Sequence, residues 1–235
     1  MINGTTVTGL GERFEQLNRL IAGTIQQQGR SPGDVKLLAV SKRRSSDEIR
    51  ECAGLGQLAF GENYLQEALP KIGDCRDLNL EWHFIGRLQR NKTADVAKNF
   101  DWVHTVDRVS VAKRLNDQRP EGMAPLAVCV QVNIDGAENK AGIPPDQLTG
   151  LLLEISGLKR LQLRGLMTMP EPSEGVESQR RPFRQLADLL ASAVIDFPEM
   201  DVLSMGMSGD LEAAIAEGST LLRIGTALFG ARAEV

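Results

Sequence analysis

The sequence predicts a single α/β domain over residues 1–235, folded as a TIM-like (β/α)8 barrel with an extra N-terminal helix. Three observations predict it. Eight short apolar runs alternate with longer amphipathic stretches, the pattern of repeated βαβ units and a parallel sheet. Eight units in 235 residues favour closure into a barrel over an open, doubly wound sheet. No low-complexity linker or shift in composition divides the chain, and barrels of this length fold as one unit.

The elements follow in order. Leu10, Phe14, Leu17, Ile21 and Ile25 recur at spacings of three and four, which places them on one stripe of a first helix. Residues 26–32 are a polar exit, broken by Gly29 and Pro32. The apolar runs then fall at 35–40, 58–60, 82–85, 102–106, 127–132, 161–167, 202–205 and 221–224. Amphipathic stretches separate most of them, at 47–52, 109–115, 147–153, 183–195 and 211–217. Residues 170–182, rich in Glu, Ser and Pro, read as one long polar loop, a candidate mobile segment over the barrel mouth.

Composition narrows the function classes. Hydrophobic residues make up 42% and charged residues 25%, enough for a sizeable core. A net charge of −4 argues against a dedicated nucleic-acid binder. Lys42-Arg43-Arg44 and the group Arg87, Arg90 and Lys92 are either solvated surface or attractors of a small phosphorylated ligand. Cys52, Cys75 and Cys129 are odd in number and lack CxxC spacing, so no disulfide framework is expected, and Cys129 reads as a small buried hydrophobe. Without a secretory signal or a membrane-spanning run, the expected location is the cytoplasm. His83 and His104 sit in apolar runs and are either satisfied core histidines or catalytic ones. With no HExxH spacing and no Cys/His cluster, no metal is expected.

In a parallel barrel the active site lies where the strands end. Small and polar residues collect there: Ser41-Lys42, Gly61-Glu62-Asn63, Gly86, 105–107, 133–135, Thr168, 204–208 and Gly225-Thr226. Lys42 shares a strand face with Leu38 and Val40, so it is either a barrel-mouth amine, desolvated as a Schiff-base lysine requires, or a lysine leaving for solvent. The loops after runs seven and eight are where such barrels most often bind phosphate. There the segment after Ser208 opens a helix, whose N–H groups either receive an anion or are capped by Ser208 or Asp210. Arg223 alternates with Leu222 and Ile224 and is expected to point inward. It then needs a partner, either an internal carboxylate or an acceptor such as a pyridine nitrogen.

The segments LLAVSK (37–42), FGENYLQE (60–67), WHFIGRLQRNK (82–92), VNIDGAENKAGI (132–143), RGLMTMP (164–170), LSMGMSGDLEAAIAEGST (203–220) and LLRIGTALFGAR (221–232) carry a family resemblance. The chain resembles the pyridoxal phosphate (PLP) homeostasis proteins, the YggS/PROSC-like group that shares the alanine racemase N-terminal barrel, PLP fold type III. The resemblance implies that Lys42 holds PLP as a Schiff base and that Arg223 meets the pyridine nitrogen. It implies a phosphate grip at Ser208, Gly225 and Thr226, with Asn63, His83, Met167, Ser204 and Met207 around the ring. The segment 43–45 departs from the family by lacking its frequent proline.

Alanine racemases carry a further β-domain with an acid/base tyrosine opposite the lysine. This sequence is expected to lack that domain, and its only tyrosine is Tyr64. The resemblance therefore implies a PLP-binding regulator or carrier without established catalysis, expected to be monomeric and to deliver PLP to apo-enzymes. A low-activity amino-acid racemase and a sugar-phosphate barrel enzyme are the alternatives. Lys140, in the loop after the fifth run, is expected either to assist cofactor hand-off, next to a flexible Ala141-Gly142, or to be a solvated loop lysine.

Overall fold

The computed structural model describes residues 9–137 and 140–231. Eight parallel strands close a barrel in sequence order: β1 (Lys36–Val40), β2 (Ala59–Glu62), β3 (Glu81–Phe84), β4 (Trp102–Val106), β5 (Leu126–Gln131), β6 (Leu161–Met167), β7 (Val202–Ser204) and β8 (Leu221–Ile224). Each apolar run became a strand, with limits within two residues of the expected ones. β1 pairs with β8 to close the ring, and this register sets Leu38 level with Arg223.

The outer helices are α1 (Leu10–Gln27), α2 (Ser46–Gly54), α3 (Leu65–Asp74), α4 (Thr93–Asn99), α5 (Val109–Gln118), α6 (Leu148–Ser156), α7 (Val176–Ala193), α8 (Leu211–Ala216) and α9 (Thr226–Phe229). α1 buries Leu10, Leu17, Ile21 and Ile25 and packs on α8 and α9. Arg13 donates to the Leu228 carbonyl at 2.8 Å, and Arg30 to those of Ile215 and Ser219. The extra helix thus completes the outer layer where α9 is too short to cover β8.

Alternation along the strands sorts the core into two layers. Leu38, Trp102, Ala127, Cys129, Met167, Val202 and Leu221 fill the barrel interior. Ala39, Phe60, Val103, Val128, Leu166, Leu222 and Ile224 face the helices. Cys129 is buried inside, and desolvation pushes its thiol up to about 12, so it packs as an inert small side chain.

The expected loop over 170–182 is shorter than its composition suggested. α7 begins at Val176 and runs through Pro182. One missing N–H is tolerated because Pro182, Phe183, Leu186 and Leu190 are buried along a single stripe. Only residues 170–175 remain as loop.

At Gly165 the barrel admits no side chain, since an added Cβ would lie 1.9 Å from the Val202 carbonyl oxygen on β7. Gly165→Ala should therefore cost about 3 kcal/mol or more. Gly150→Ala, in exposed helix with open space around it, should instead stabilise by about 0.5–1 kcal/mol. Urea unfolding of both variants tests the contrast.

Candidate functional site

Lys42 follows β1 in a tight turn closed by the Arg44 N–H donating to the Ser41 carbonyl at 3.0 Å. Arg43 takes a left-handed φ of 59°, which costs a non-glycine residue about 1–3 kcal/mol. The surroundings hold it there. The Arg43 N–H donates to Glu67 at 2.9 Å. Beneath the turn, buried Glu62 accepts from the Ser41 hydroxyl at 2.7 Å and from Lys71 at 2.8 Å, and Lys71 also donates to the Ser41 carbonyl. Burial still raises the Glu62 carboxyl above its ordinary value despite those donors. Two strands and α3 therefore meet on the residue just before Lys42.

Lys42 opens into a cavity of about 250 Å³ at the C-terminal end of the barrel. Asn63, Met167, Met207, Ser208, Arg223, Gly225 and Thr226 also line it, as the sequence led us to expect. Arg44 of the basic cluster lines it too, as do Val40, Ile85, Met169 and Gly209, which the strand-end reading does not include. Arg44 had a signal, its place in the basic cluster beside the phosphate loops. The apolar Val40 and Ile85 had only their inward strand parity. His83 and Ser204 do not line the cavity and lie in the interior beneath it.

The anion end is built from two loops. Gly206, at φ 98°, turns the chain after β7 where an added Cβ would come within 2.6 Å of Ala214 and 2.7 Å of Leu222. Neither Ser208 nor Asp210 caps α8. Ser208 accepts instead from the Ala227 N–H of α9 at 3.2 Å, and Asp210 accepts from the Met207 N–H. Ser208 thus ties the seventh loop to the start of α9, where the Leu228 and Phe229 N–H groups donate to the Gly225 carbonyl.

Arg223 forms the floor. It is buried and donates to the Ser204 hydroxyl and the Thr168 carbonyl, both at 2.8 Å. Its hydrogen bonds go to no carboxylate among the described residues. Desolvation lowers its pKa to about 10, partly offset by Asp210, so it stays charged at neutral pH. Ser204 also contacts His104 Nδ1 at 2.8 Å. His104 Nε2 lies 2.8 Å from His83 Nδ1, and His83 Nε2 lies 2.7 Å from Glu81 Oε1. His83 stacks on Trp102, with centroids 5.3 Å apart and planes 7° from parallel. Both imidazoles are held below their ordinary pKa, chiefly by burial.

Lys140 does not line the cavity. Its Nζ meets Asp135 at 3.1 Å and the carbonyl of Met169, a cavity residue, at 3.3 Å. The neighbouring Gly142 sits where no side chain would fit. Its φ is 115° and an added Cβ would meet the Asn133 nitrogen at 2.8 Å, while Ile143 bridges to Val132.

These features fit a phosphorylated aromatic aldehyde. An amine stands at one wall, a permanent cation at the floor and anion-receiving loops at one end, with Val40, Ile85, Met167 and Met207 supplying apolar faces. The Asn63 Oδ1 is buried without a hydrogen-bond partner, an orphan that a ligand would satisfy. Such a site in such a barrel defines a class of protein, the barrels of the alanine racemase N-terminal type. Comparison with known proteins agrees. Residues 17–233 match the family described as alanine racemase, N-terminal domain.

The particular family follows from the closer relatives. A curated protein of Pseudomonas aeruginosa, named pyridoxal phosphate homeostasis protein, is 48% identical over 223 residues, covering 95% of this chain and 96% of its own. One of Escherichia coli with the same name is 46% identical over 226 residues, covering 95% and 97%. The structure of PipY from Synechococcus elongatus with PLP bound superposes with a TM-score of 0.82 at 36% identity, covering 94% of this chain and all of that one. The chain belongs to the pyridoxal phosphate homeostasis protein family. Alanine racemase of Corynebacterium glutamicum, at 18% identity and TM-score 0.65, shares the fold.

The histidine pair gives stability a definite pH dependence. In the unfolded chain each would titrate near its ordinary value of about 6.5. Below that pH the unfolded state binds protons that the folded state refuses, so stability should fall by up to about 1.4 kcal/mol per pH unit for each histidine. Urea midpoints from about pH 7.5 down to 5.5 should show this slope, and His104→Gln should flatten it.

Proposed function

We propose that this protein binds PLP in the cavity at the barrel mouth and serves intracellular homeostasis of PLP and of amino and keto acids, holding the cofactor and passing it to PLP-dependent apo-enzymes. The observation that carries the reading is the convergence of Lys42, Arg223 and the Ser208–Thr226 anion end on one cavity. When bound, PLP supplies an aldehyde that condenses with an amine and a phosphate that is held as an anion. Lys42 is the amine. Ser208, Gly225 and Thr226 hold the phosphate, with Arg44 adding positive charge at the rim. Asn63 gives its orphan oxygen to the ring substituents, and Met167 and Met207 pack against the ring.

Arg223 decides what the bound cofactor is suited for. A guanidinium donates hydrogen bonds and stays protonated, so it meets the ring nitrogen without protonating it. The ring is then a weak electron sink, poorly matched to carbanion chemistry. Two-base racemisation also needs a proton donor on each face. Tyr64, the sole tyrosine, is half exposed and does not line the cavity. Retention and release of PLP suit these residues better than turnover, which favours a carrier over a low-activity racemase.

The purified protein should be yellow, and borohydride should fix the cofactor to the peptide bearing Lys42. Lys42→Ala should lose both the visible absorbance and the fixation. Attachment at another residue, or none, overturns the assignment. Turnover of an added amino acid that vanishes in Lys42→Ala would favour the racemase instead.

A further inference from the structure

The polar groups beneath Arg223 form an unbroken chain through the barrel interior. It runs Arg223–Ser204–His104–His83–Glu81, with every link between 2.7 and 2.8 Å. Glu81 stands at the start of β3, at the barrel end opposite the cavity, with its side chain 48% exposed, while His83 is fully buried. Chemistry allows this chain one proton arrangement when both rings are neutral. The Glu81 carboxylate only accepts, so His83 must carry its proton on Nε2. His83 Nδ1 is then an acceptor, which requires His104 to carry its proton on Nε2. His104 Nδ1 is in turn an acceptor, so the Ser204 hydroxyl donates to it. Ser204 is left to accept from Arg223, which always donates. Each link has one proton, and all point away from the cavity.

We propose that Glu81, His83, His104 and Ser204 form a one-way hydrogen-bond relay that positions the Arg223 guanidinium at the cavity floor, making Glu81 a positioning residue for the cofactor from the far end of the barrel. With the Ser204 proton committed to His104, its lone pairs face Arg223 Nη1, and the Thr168 carbonyl takes Nη2. Two anchors on two nitrogens fix the guanidinium plane, and with it the direction of the remaining N–H bonds. The relay also keeps further positive charge away from Arg223, because neither ring needs a second proton to complete its contacts. Trp102 packs the outer end by stacking on His83, and Arg164 lies over the Trp102 ring at 5.2 Å while paired with Asp201. The pocket half of the proposal rests on the PLP reading, whereas the relay itself does not.

The chain has only two histidines, so 15N-labelled histidine isolates both rings without assignment ambiguity. In the cofactor-free protein at neutral pH, both should carry the proton on Nε2. A through-hydrogen-bond nitrogen–nitrogen coupling should connect His104 Nε2 with His83 Nδ1. Absence of that coupling, or a proton on either Nδ1, overturns the relay whether or not PLP binds. For the link to the pocket, PLP release is measured from the loaded protein. Glu81→Ala removes the terminal acceptor and should speed release about three- to tenfold, the scale of one hydrogen bond. Glu81→Gln keeps a carbonyl acceptor and should restore slow release. Ser204→Ala cuts the chain beside Arg223 and should match or exceed Glu81→Ala. Wild-type release from both alanine variants overturns the positioning role. Failure of the wild-type protein to bind PLP would instead overturn the cofactor reading and leave the coupling experiment standing.

Discussion

A charged guanidinium lies inside a parallel barrel, and the rest of the site is arranged around that constraint. Arg223 loses nearly all its hydration, which lowers its pKa without bringing it near neutrality, so the charge must be solvated by the protein. No strand offers a carboxylate at hydrogen-bonding distance. A serine hydroxyl and a main-chain carbonyl take that role, and the hydroxyl serves only because His104 disposes of its proton. An apolar interior would have packed at lower cost. A barrel that threads one chain of polar side chains through an otherwise apolar interior surrenders some core stability for a fixed cation under the cavity.

The second cationic group, Lys42, is placed by different means. Arg223 is held by the inner face of the barrel, while the turn that carries Lys42 is held from the outer face. The Glu62–Lys71 pair grips Ser41, and Glu67 holds the strained Arg43. Glu62 and Lys71 belong to the layer between strands and α3, so the same strand end is braced from outside and open to the cavity from inside. The anion end follows a similar logic, with Ser208 bonding across to α9 instead of capping its own helix. Each corner of the cavity is thus set by contacts between different βα units, and one of these joins the seventh loop to the eighth. This shared scaffold explains how a small cavity can present an amine, a cation and an anion receiver in fixed relation.

Much of this was legible in the residues. Eight apolar runs became eight strands, because a run of alternating or continuous hydrophobicity has few other uses in a chain of this length. Strand parity correctly turned Arg223 inward, and the strand-end residues Lys42, Asn63, Met207, Ser208, Gly225 and Thr226 do line one cavity. The exceptions are instructive. Residues 176–182 look like loop because Pro, Glu and Ser dominate the stretch 170–182, yet buried Pro182 and Phe183 carry them into α7. Gly142 is required for a further reason that its segment does not show, since a neighbouring backbone leaves no room for a side chain there. His83 resembled a ring contact because its segment matches the family, yet it lies in a layer below the cavity.

The sequence by itself determined the barrel, the order of its strands and the residue types at their C-terminal ends, because periodicity and turn chemistry are local properties. It also grouped strand side chains by face and turned Arg223 inward. Only the tertiary structure decided how far along the axis each one sits and what it meets. Glu81, His83, His104, Ser204 and Arg223 come from β3, β4, β7 and β8, and their contacts depend on the stagger between strands as the sheet closes. Parity fixes a face, but stagger fixes a layer. For that reason Arg223 could be placed inside from its neighbours alone, while the chain of proton donors beneath it emerged only with the closed barrel.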